Sequence, residues 1–311
     1  MYLVKGVYEG GNTLPSDLIK TLLESGVHFG HRTSRWNPKM KKFIFGERSG
    51  IYIIDLEKTE ECLSRVKDFL MEITAKGEFV MFVGTKKQAQ EVVLREAQRC
   101  GMHYVTERWP GGMLTNFATI KKSINRLKEI ESKKQDGTFE KLTKKEVSLL
   151  EKELTKLKKS FSGIIAMERM PKALFIVDTK KEETAVHEAR RLGIPVIGLL
   201  DTNANPDLVD YPIPGNDDAT RSISVITTYI ADSIIEGRKK FLSYLSHEGV
   251  AIKEEAVSAE AEGLVVAPEE EVKIKEIEEI LEDTTKEDPK AAKKTHPAVA
   301  AVDKSKARKK V

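Results

Sequence analysis

Short, almost wholly apolar runs alternate with stretches of helical spacing along most of this 311-residue chain, and that alternation leaves few folds open. The runs fall at 51–54, 79–83, 102–105, 173–177 and 195–200. Strands read this way when helices cover both faces of a parallel sheet; a sheet with one wet face would alternate apolar and polar residues. Between the runs, 57–75, 86–99, 182–191 and 217–245 return an apolar residue every three or four positions, as Cys62, Val66, Phe69, Leu70 and Ile73 do. Right-handed crossovers then predict a doubly wound parallel α/β sheet. A helix at 17–24, opened by Ser16-Asp17 and closed by Gly26, and a short strand at 43–45 precede it.

The alternation breaks once. Phe117, Ile120, Ile124, Leu127 and Glu131 step by three and four, and so do Val147, Leu150, Leu154, Leu157, Phe161 and Ile164. Gln135-Asp136-Gly137-Thr138 lies between them as a turn. Two heptad segments joined by a turn predict an inserted antiparallel coiled-coil hairpin that buries one apolar seam. The expected organisation is a leader at 1–16, an α/β domain from 17–113 and 171–247, the hairpin at 114–170, and a charged, disordered low-complexity tail at 248–311.

Charge follows these divisions. The whole chain is only +3, but residues 248–311 hold 12 basic and 16 acidic residues and the hairpin 14 basic and 8 acidic. The body is therefore basic, and much of its excess sits on a projecting arm, as a contact with a polyanion requires. Within the tail, 269–281 has the spacing of a short amphipathic helix. Cys62 and Cys100 form no CxxC pair, no apolar run approaches the ~18 residues of a membrane span, and the N-terminus lacks a secretory pattern. A soluble, cytosolic chain without a disulfide framework is expected.

Four stretches carry candidate chemistry. Between 31 and 48 there are six Lys/Arg and one acid, interleaved with Trp36, Phe43 and Phe45. Cations there can neutralise phosphates, and aromatic or guanidinium planes can stack on bases. Gly84-Thr85-Lys86-Lys87 turns from a strand into a helix, a place for an anion, although neither GxxxxGK[ST] nor GxGxxG occurs; Thr85 is a candidate helix cap. Arg108-Trp109-Pro110-Gly111-Gly112 hands over to the hairpin, where Thr115 or Asn116 can cap the rising helix. Asp55, Asp178, Asp201 and Asp217-Asp218 fall at or near the carboxyl ends of strands, the ligand-binding edge of an open α/β sheet, and His31 with Asp201 and Asp218 is a candidate set for a divalent metal ion. Three readings stay open on these residues: an RNA-binding protein, a phosphosugar- or nucleotide-binding enzyme using Lys86 with Asp178 or Asp201, and a scaffold whose hairpin pairs with another protein's helices. No GxSxG, HExxH or cysteine–histidine pair supports the enzyme.

Residues 26–31 (GVHFGH), 36–40 (WNPKM), 82–88, Arg108-Trp109 with Gly111-Gly112, the hairpin turn 135–146, Asp201-Thr202-Asn203 and 213–218 closely resemble the bacterial ribosomal protein S2 family, in order from about 17 to 245. The resemblance implies a flavodoxin-like sheet with a coiled-coil hairpin, no catalytic residues and no required cofactor. It implies a cytoplasmic place in the small ribosomal subunit, against small-subunit rRNA and neighbouring proteins, including the OB-repeat protein that captures mRNA, and no membrane. Carried onto this chain, Arg32, Arg35, Trp36, Lys39, Lys41, Lys42, Lys86, Lys87, Arg108, Lys121 and Lys122 become the expected rRNA contacts. Pro110 departs from the Leu usual in the family and removes a backbone donor beside Trp109.

Overall fold

The computed structural model describes residues 17–261. The leader 1–16, the rest of the tail and the expected helix at 269–281 lie outside the described residues. The chain divides into two compact units, Met1–Phe241 and Leu242–Val311. The sheets, the hairpin and every site below belong to the first; of the second, residues 242–261 are described and are helical.

The chain opens with helix α1 (Asp17–Glu24) and three short strands, β1 (Phe29–Arg32), β2 (Ile44–Arg48) and β3 (Ile51–Ile54), then helix α2 (Leu56–Thr74). Strand β4 (Val80–Val83), helix α3 (Lys87–Cys100) and strand β5 (His103–Val105) follow. The hairpin is α4 (Phe117–Gln135) and α5 (Lys144–Phe161). The chain returns through β6 (Ala173–Val177), α6 (Glu183–Arg191), β7 (Val196–Leu200), β8 (Tyr211–Pro214) and the long α7 (Thr220–Ala261), which runs past the tail boundary expected at 248.

The main sheet is five-stranded, in the order β5-β4-β6-β7-β8, with every pairing parallel. Numbered along the sheet's own chain order this is 2-1-3-4-5, the flavodoxin-like winding, whose switch point lies between β4 and β6. Alternate strand residues supply two cores. One packs Val80, Phe82, Phe175 and Leu199 against Leu63, Val66 and Leu70 of α2, Val93 of α3, and Ile223, Ile226, Ile230 and Ile234 of α7. The other packs Met81, Val83, Leu174 and Ile176 against Val186 and Ala189 of α6, Trp109, and Ile120, Ile124 and Phe161 at the hairpin's root. Each fully buried Leu or Ile contributes roughly 1.5–3 kcal/mol.

Three strand assignments differ from the sequence expectation. Ile51–Ile54 does not join the parallel sheet; β1-β3-β2 is a separate antiparallel sheet. Ser49 and Gly50 both have positive φ (54° and 74°), the primed two-residue turn that folds β3 straight back on β2, with Arg48 opposite Ile51. A parallel pairing needs a long crossover, which two residues cannot supply. Strand β1 has no period to read, and β8 is masked by Pro212 and Pro214, which its edge position tolerates.

The hairpin forms as expected. Thr143 and Glu146 make a reciprocal capping box at the start of α5. Beyond the root, the seam has its own small cluster of Leu127, Ile130 and Leu154. Ile130 takes the buried place that the spacing assigns to Glu131, which instead bridges to Lys158 at 2.6 Å.

Candidate functional site

Ligands of this winding sit in the crevice beyond the carboxyl ends of the strands at the switch point. Here that crevice is lined by charge. Lys86 follows β4, Asp178 follows β6, Asp201 follows β7, and Asp217 and Asp218 lie between β8 and α7. Strand β1 brings His31 in from the small sheet, and Gly30 makes that approach possible: a Cβ there would lie 2.6 Å from the Thr202 methyl. The close approach is tied down by His31 N–H, which donates to Asp201 Oδ1 (3.1 Å) and Thr202 Oγ1 (2.9 Å), and by Asn37 N–H to the Thr202 carbonyl (2.8 Å).

The expected trio of His31, Asp201 and Asp218 therefore comes together, and Asp217 joins it. One ligand atom from each of the four lies within 4.8 Å of the others. His31 Nδ1 is 2.8 Å from Asp201 Oδ2 without hydrogen-bond alignment, and Nε2 is 3.6 Å from Asp218 Oδ2. An imidazole with three carboxylates gathered this closely is a donor set for a borderline divalent cation. Asn203 adds a buried Oδ1 with no hydrogen-bond partner among the described residues, its amide nitrogen lying 3.1 Å from His31 Nε2.

The electrostatics are crowded. Asp201 and Asp217 are each 1 % exposed. Burial, then the charges of Asp178 and Asp201, push Asp217 up to about 7 against the pull of Lys86. The Asp201 carboxylate raises His31 although burial opposes it. Lys86 is held charged despite burial, because Asp217 and Asp218 hydrogen-bond its ammonium. Asp178 sits at φ 64°, a left-handed conformation that a β-carbon disfavours, with its side chain turned back to accept from Lys181 N–H (3.0 Å). Burial also raises Glu182, whose carboxylate accepts the Thr85 hydroxyl. Thr85 is thus not the cap of α3: Lys86 holds the cap position, and no side chain caps that helix. Asp55 does cap α2, through Glu57 N–H at 3.1 Å.

Lys86 lies differently from the other expected contacts. The sequence gives it to a phosphate, but its ammonium is turned inward, 2.8 Å from Asp217 Oδ1, 2.6 Å from Asp218 Oδ1 and 3.4 Å from Asp178 Oδ2. Lys87 stays exposed. Arg32, Arg35, Lys41 and Lys42 are exposed on the N-terminal loop, Lys42 5.0 Å over the Phe43 ring; Lys39 pairs with Asp207 at 2.6 Å. Trp36 is half-buried against Tyr52, with ring centroids 5.1 Å apart. Arg108, Lys121 and Lys122 are exposed at and near the hairpin's root.

Two features escape the sequence reading. The first is Glu188 of α6, a buried carboxylate that collects Trp109 Nε1–H (3.1 Å), the backbone N–H of Gly112 (2.8 Å), Leu114 (3.0 Å) and Thr115 (3.2 Å), and the Thr115 hydroxyl (3.2 Å). Those donors hold it below the ordinary carboxylate range although burial opposes them. They fix the loop at the hairpin's root with Pro110 in it, and they leave Asn116 at the cap of α4 without a capping side-chain bond.

The second is a sorting of charge on the hairpin. Glu129, Glu131, Glu151 and Glu153 are held in bridges to Arg126, Lys133, Lys134 and Lys158. Lys145, Lys152 and Lys156 are exposed, make no ion pair among the described residues, and lie seven and four apart on one face of α5. Leu149, 59 % exposed, falls on the same face.

Among the described residues no helix is long and apolar enough to cross a membrane. Comparison with known sequences gives a consistent result. A family model described as ribosomal protein S2 matches residues 22–237. Two proteins named small ribosomal subunit protein uS2, from two strains of Treponema pallidum, are each 53 % identical over 250 residues, covering 79 % of this chain and 86 % of the relative.

Proposed function

The chain belongs to the ribosomal protein S2 family, and from that premise we propose that it grips small-subunit rRNA with two basic surfaces carried on a sheet that does no chemistry. Membership of the family makes it a structural, non-enzymatic protein of the small ribosomal subunit, in the bacterial cytoplasm. The phosphosugar-enzyme alternative falls on that ground.

One observation carries the RNA reading: exposed cations are separated from the acids. On the N-terminal loop, Arg32, Arg35, Lys41 and Lys42 are exposed with no ion pair among the described residues, and Lys39 is half-exposed beside Asp207. On the hairpin, Lys121 and Lys122 with Lys145, Lys152 and Lys156 form the second surface, and Lys87 and Arg108 lie at the sheet between the two in sequence. Free ammonium and guanidinium groups gain by displacing counterions from phosphate, whereas bridged ones must first break a bridge. Trp36 contributes the exposed part of its ring. For the OB-repeat partner, the fitting surface is the small sheet, where Phe29 (48 % exposed) and Phe45 (61 % exposed) are large aromatics left uncovered.

Charge reversal at Lys39, Lys41 and Lys42 together is expected to weaken incorporation into small subunits at least about tenfold, with an unchanged far-UV spectrum. Unaltered co-sedimentation of the folded triple variant with subunits would remove the loop from the RNA face.

A second reading has its own observation. His31, Asp201, Asp217 and Asp218 fit a divalent ion by donor chemistry and by convergence. Such an ion would supply positive charge where the carboxylates meet, and would tie β1 to the ends of β7 and β8 as a structural clasp.

A further inference from the structure

Two of the carboxylates that would hold a divalent ion are already held by a lysine. The Lys86 ammonium contacts Oδ1 of both Asp217 and Asp218, and the same two side chains complete the donor set with His31 and Asp201. A tethered monovalent cation and a free dication therefore share one pair of ligands.

We propose that Lys86 is a built-in competitor for the divalent site, displaced when the ion binds and thereby released, beside Lys87, to a phosphate. The proposal rests on the divalent reading above. It also accounts for a lysine at a strand-to-helix turn, the usual place for an anion contact, that faces inward in this structure.

Three observations carry it. The first is charge. With all four ionised, as at the pH of the test below, Asp178, Asp201, Asp217 and Asp218 bring four negative charges, while Lys86 and a protonated His31 bring at most two positive ones, so the cluster is then under-neutralised even with the lysine in place. The second is mutual exclusion. The ammonium already occupies Oδ1 of Asp217 and Asp218, and a dication sharing those two carboxylates would be repelled by it.

The third is which partner can move. Asp201 is fixed by His31 N–H and by the Thr202 hydroxyl, and Asp217 is packed at 1 % exposure. Lys86 instead reaches in on a flexible four-carbon stem from the cap position of α3. Outside the cluster it would meet exposed Lys87 and the uncapped first turn of a 14-residue helix, a favourable place for phosphate oxygens.

The test uses the full chain with Zn2+ as probe, in chelexed buffer at about pH 8 so that carboxylates are ionised. Limited acetylation read by mass spectrometry compares Lys86 with Lys87. Without zinc Lys86 should react about tenfold or more slowly; one equivalent of zinc should close most of that gap. In parallel, zinc affinity is measured for the native chain, His31→Ala and Lys86→Met. His31→Ala should bind weakly, and Lys86→Met about tenfold more tightly than the native chain.

If neither the native chain nor Lys86→Met binds zinc in a His31-dependent way, the divalent reading is wrong and this proposal goes with it. If zinc binds but Lys86 stays protected and Lys86→Met gains no affinity, Lys86 is a fixed partner of the ion; the proposal is overturned and the divalent reading survives. Should Lys86→Met not fold, the acetylation ratio of the native chain decides.

Discussion

Two buried acidic sites in this fold answer the same problem in opposite ways. Glu188 stands alone and is surrounded by donors: an indole N–H, three backbone N–H groups and a hydroxyl. At the strand ends, Asp178, Asp201, Asp217 and Asp218 crowd together around one ammonium and one imidazole. A carboxylate met by that many hydrogen bonds is stabilised in its charged form, so its pKa falls; a carboxylate met by other carboxylates is destabilised, so its pKa rises. Glu188 moves down for the first reason; Asp217 moves up, first through its burial and then through the charges of Asp178 and Asp201, while Asp218 is held down by Lys86 against burial. The first arrangement is complete as it stands and explains a rigid hairpin root. The second leaves negative charge over at the strand ends, where a further cation would be stabilised.

Neutralising each acid in turn separates the two arrangements. Glu188→Gln replaces acceptor lone pairs with an amide NH2 facing the donors of the hairpin root, and a buried clash of donors follows. Stability to denaturant is expected to drop by about 3 kcal/mol. Because the folded pKa of Glu188 is depressed, its contribution is present above its unfolded value and lost as pH falls through that value and below. The gap between native and variant chains should therefore narrow on acidification. A gap that stays constant down to about pH 3 would mean that the charge does not matter.

Asp217→Asn is the mirror experiment and should be smaller with the opposite sign. It removes one charge from the repelling group at the cost of weakening one Lys86 contact. In chelator at about pH 8 the variant is expected to be as stable as the native chain or more stable, by about 1 kcal/mol. A loss comparable to that of Glu188→Gln would show that the edge cluster is as well satisfied as the hairpin root.

The sheet was legible except for its β8 edge, and for one physical reason. Strands β4, β6 and β7 are buried on both faces, so burial itself writes an apolar run into the sequence. The hairpin is legible in the same way, because one seam imposes a heptad. Strand β8 carries Pro212 and Pro214 and exists only because it has a neighbour on one side alone. The small sheet depends on two positive φ angles at Ser49 and Gly50, which composition does not announce. His31, Asp201 and Asp218 were within reach because acids at strand ends and a histidine in a motif can be named without knowing a distance. The inward turn of Lys86 and the donors around Glu188 depend on partners 92 to 132 and 73 to 79 residues away, and no local pattern encodes those. Glu188 sits in Glu183-Thr184-Ala185-Val186-His187-Glu188, where it reads as one more charge on a solvated helix.

The hairpin extends the comparison to charges in water, where the expected effects on stability shrink and those on binding remain. Reversing Lys145, Lys152 and Lys156 should change stability by no more than about 0.5 kcal/mol, since exposed charges without bridges contribute little to folding. Binding to rRNA should weaken, and its dependence on salt should become shallower by about two in the log–log slope.

Leu149, on the same face, separates the two partners a basic rod can have. A phosphate backbone gains little from a leucine, so Leu149→Ser should leave both stability and subunit incorporation within about 0.5 kcal/mol of native. A protein helix packed against this face would bury that leucine, and the same substitution would then cost about 1–2 kcal/mol of binding with no change in salt dependence. Loss of incorporation on Leu149→Ser, with the lysine reversals neutral, would move the hairpin from the RNA to a neighbouring protein while leaving the N-terminal loop where it is.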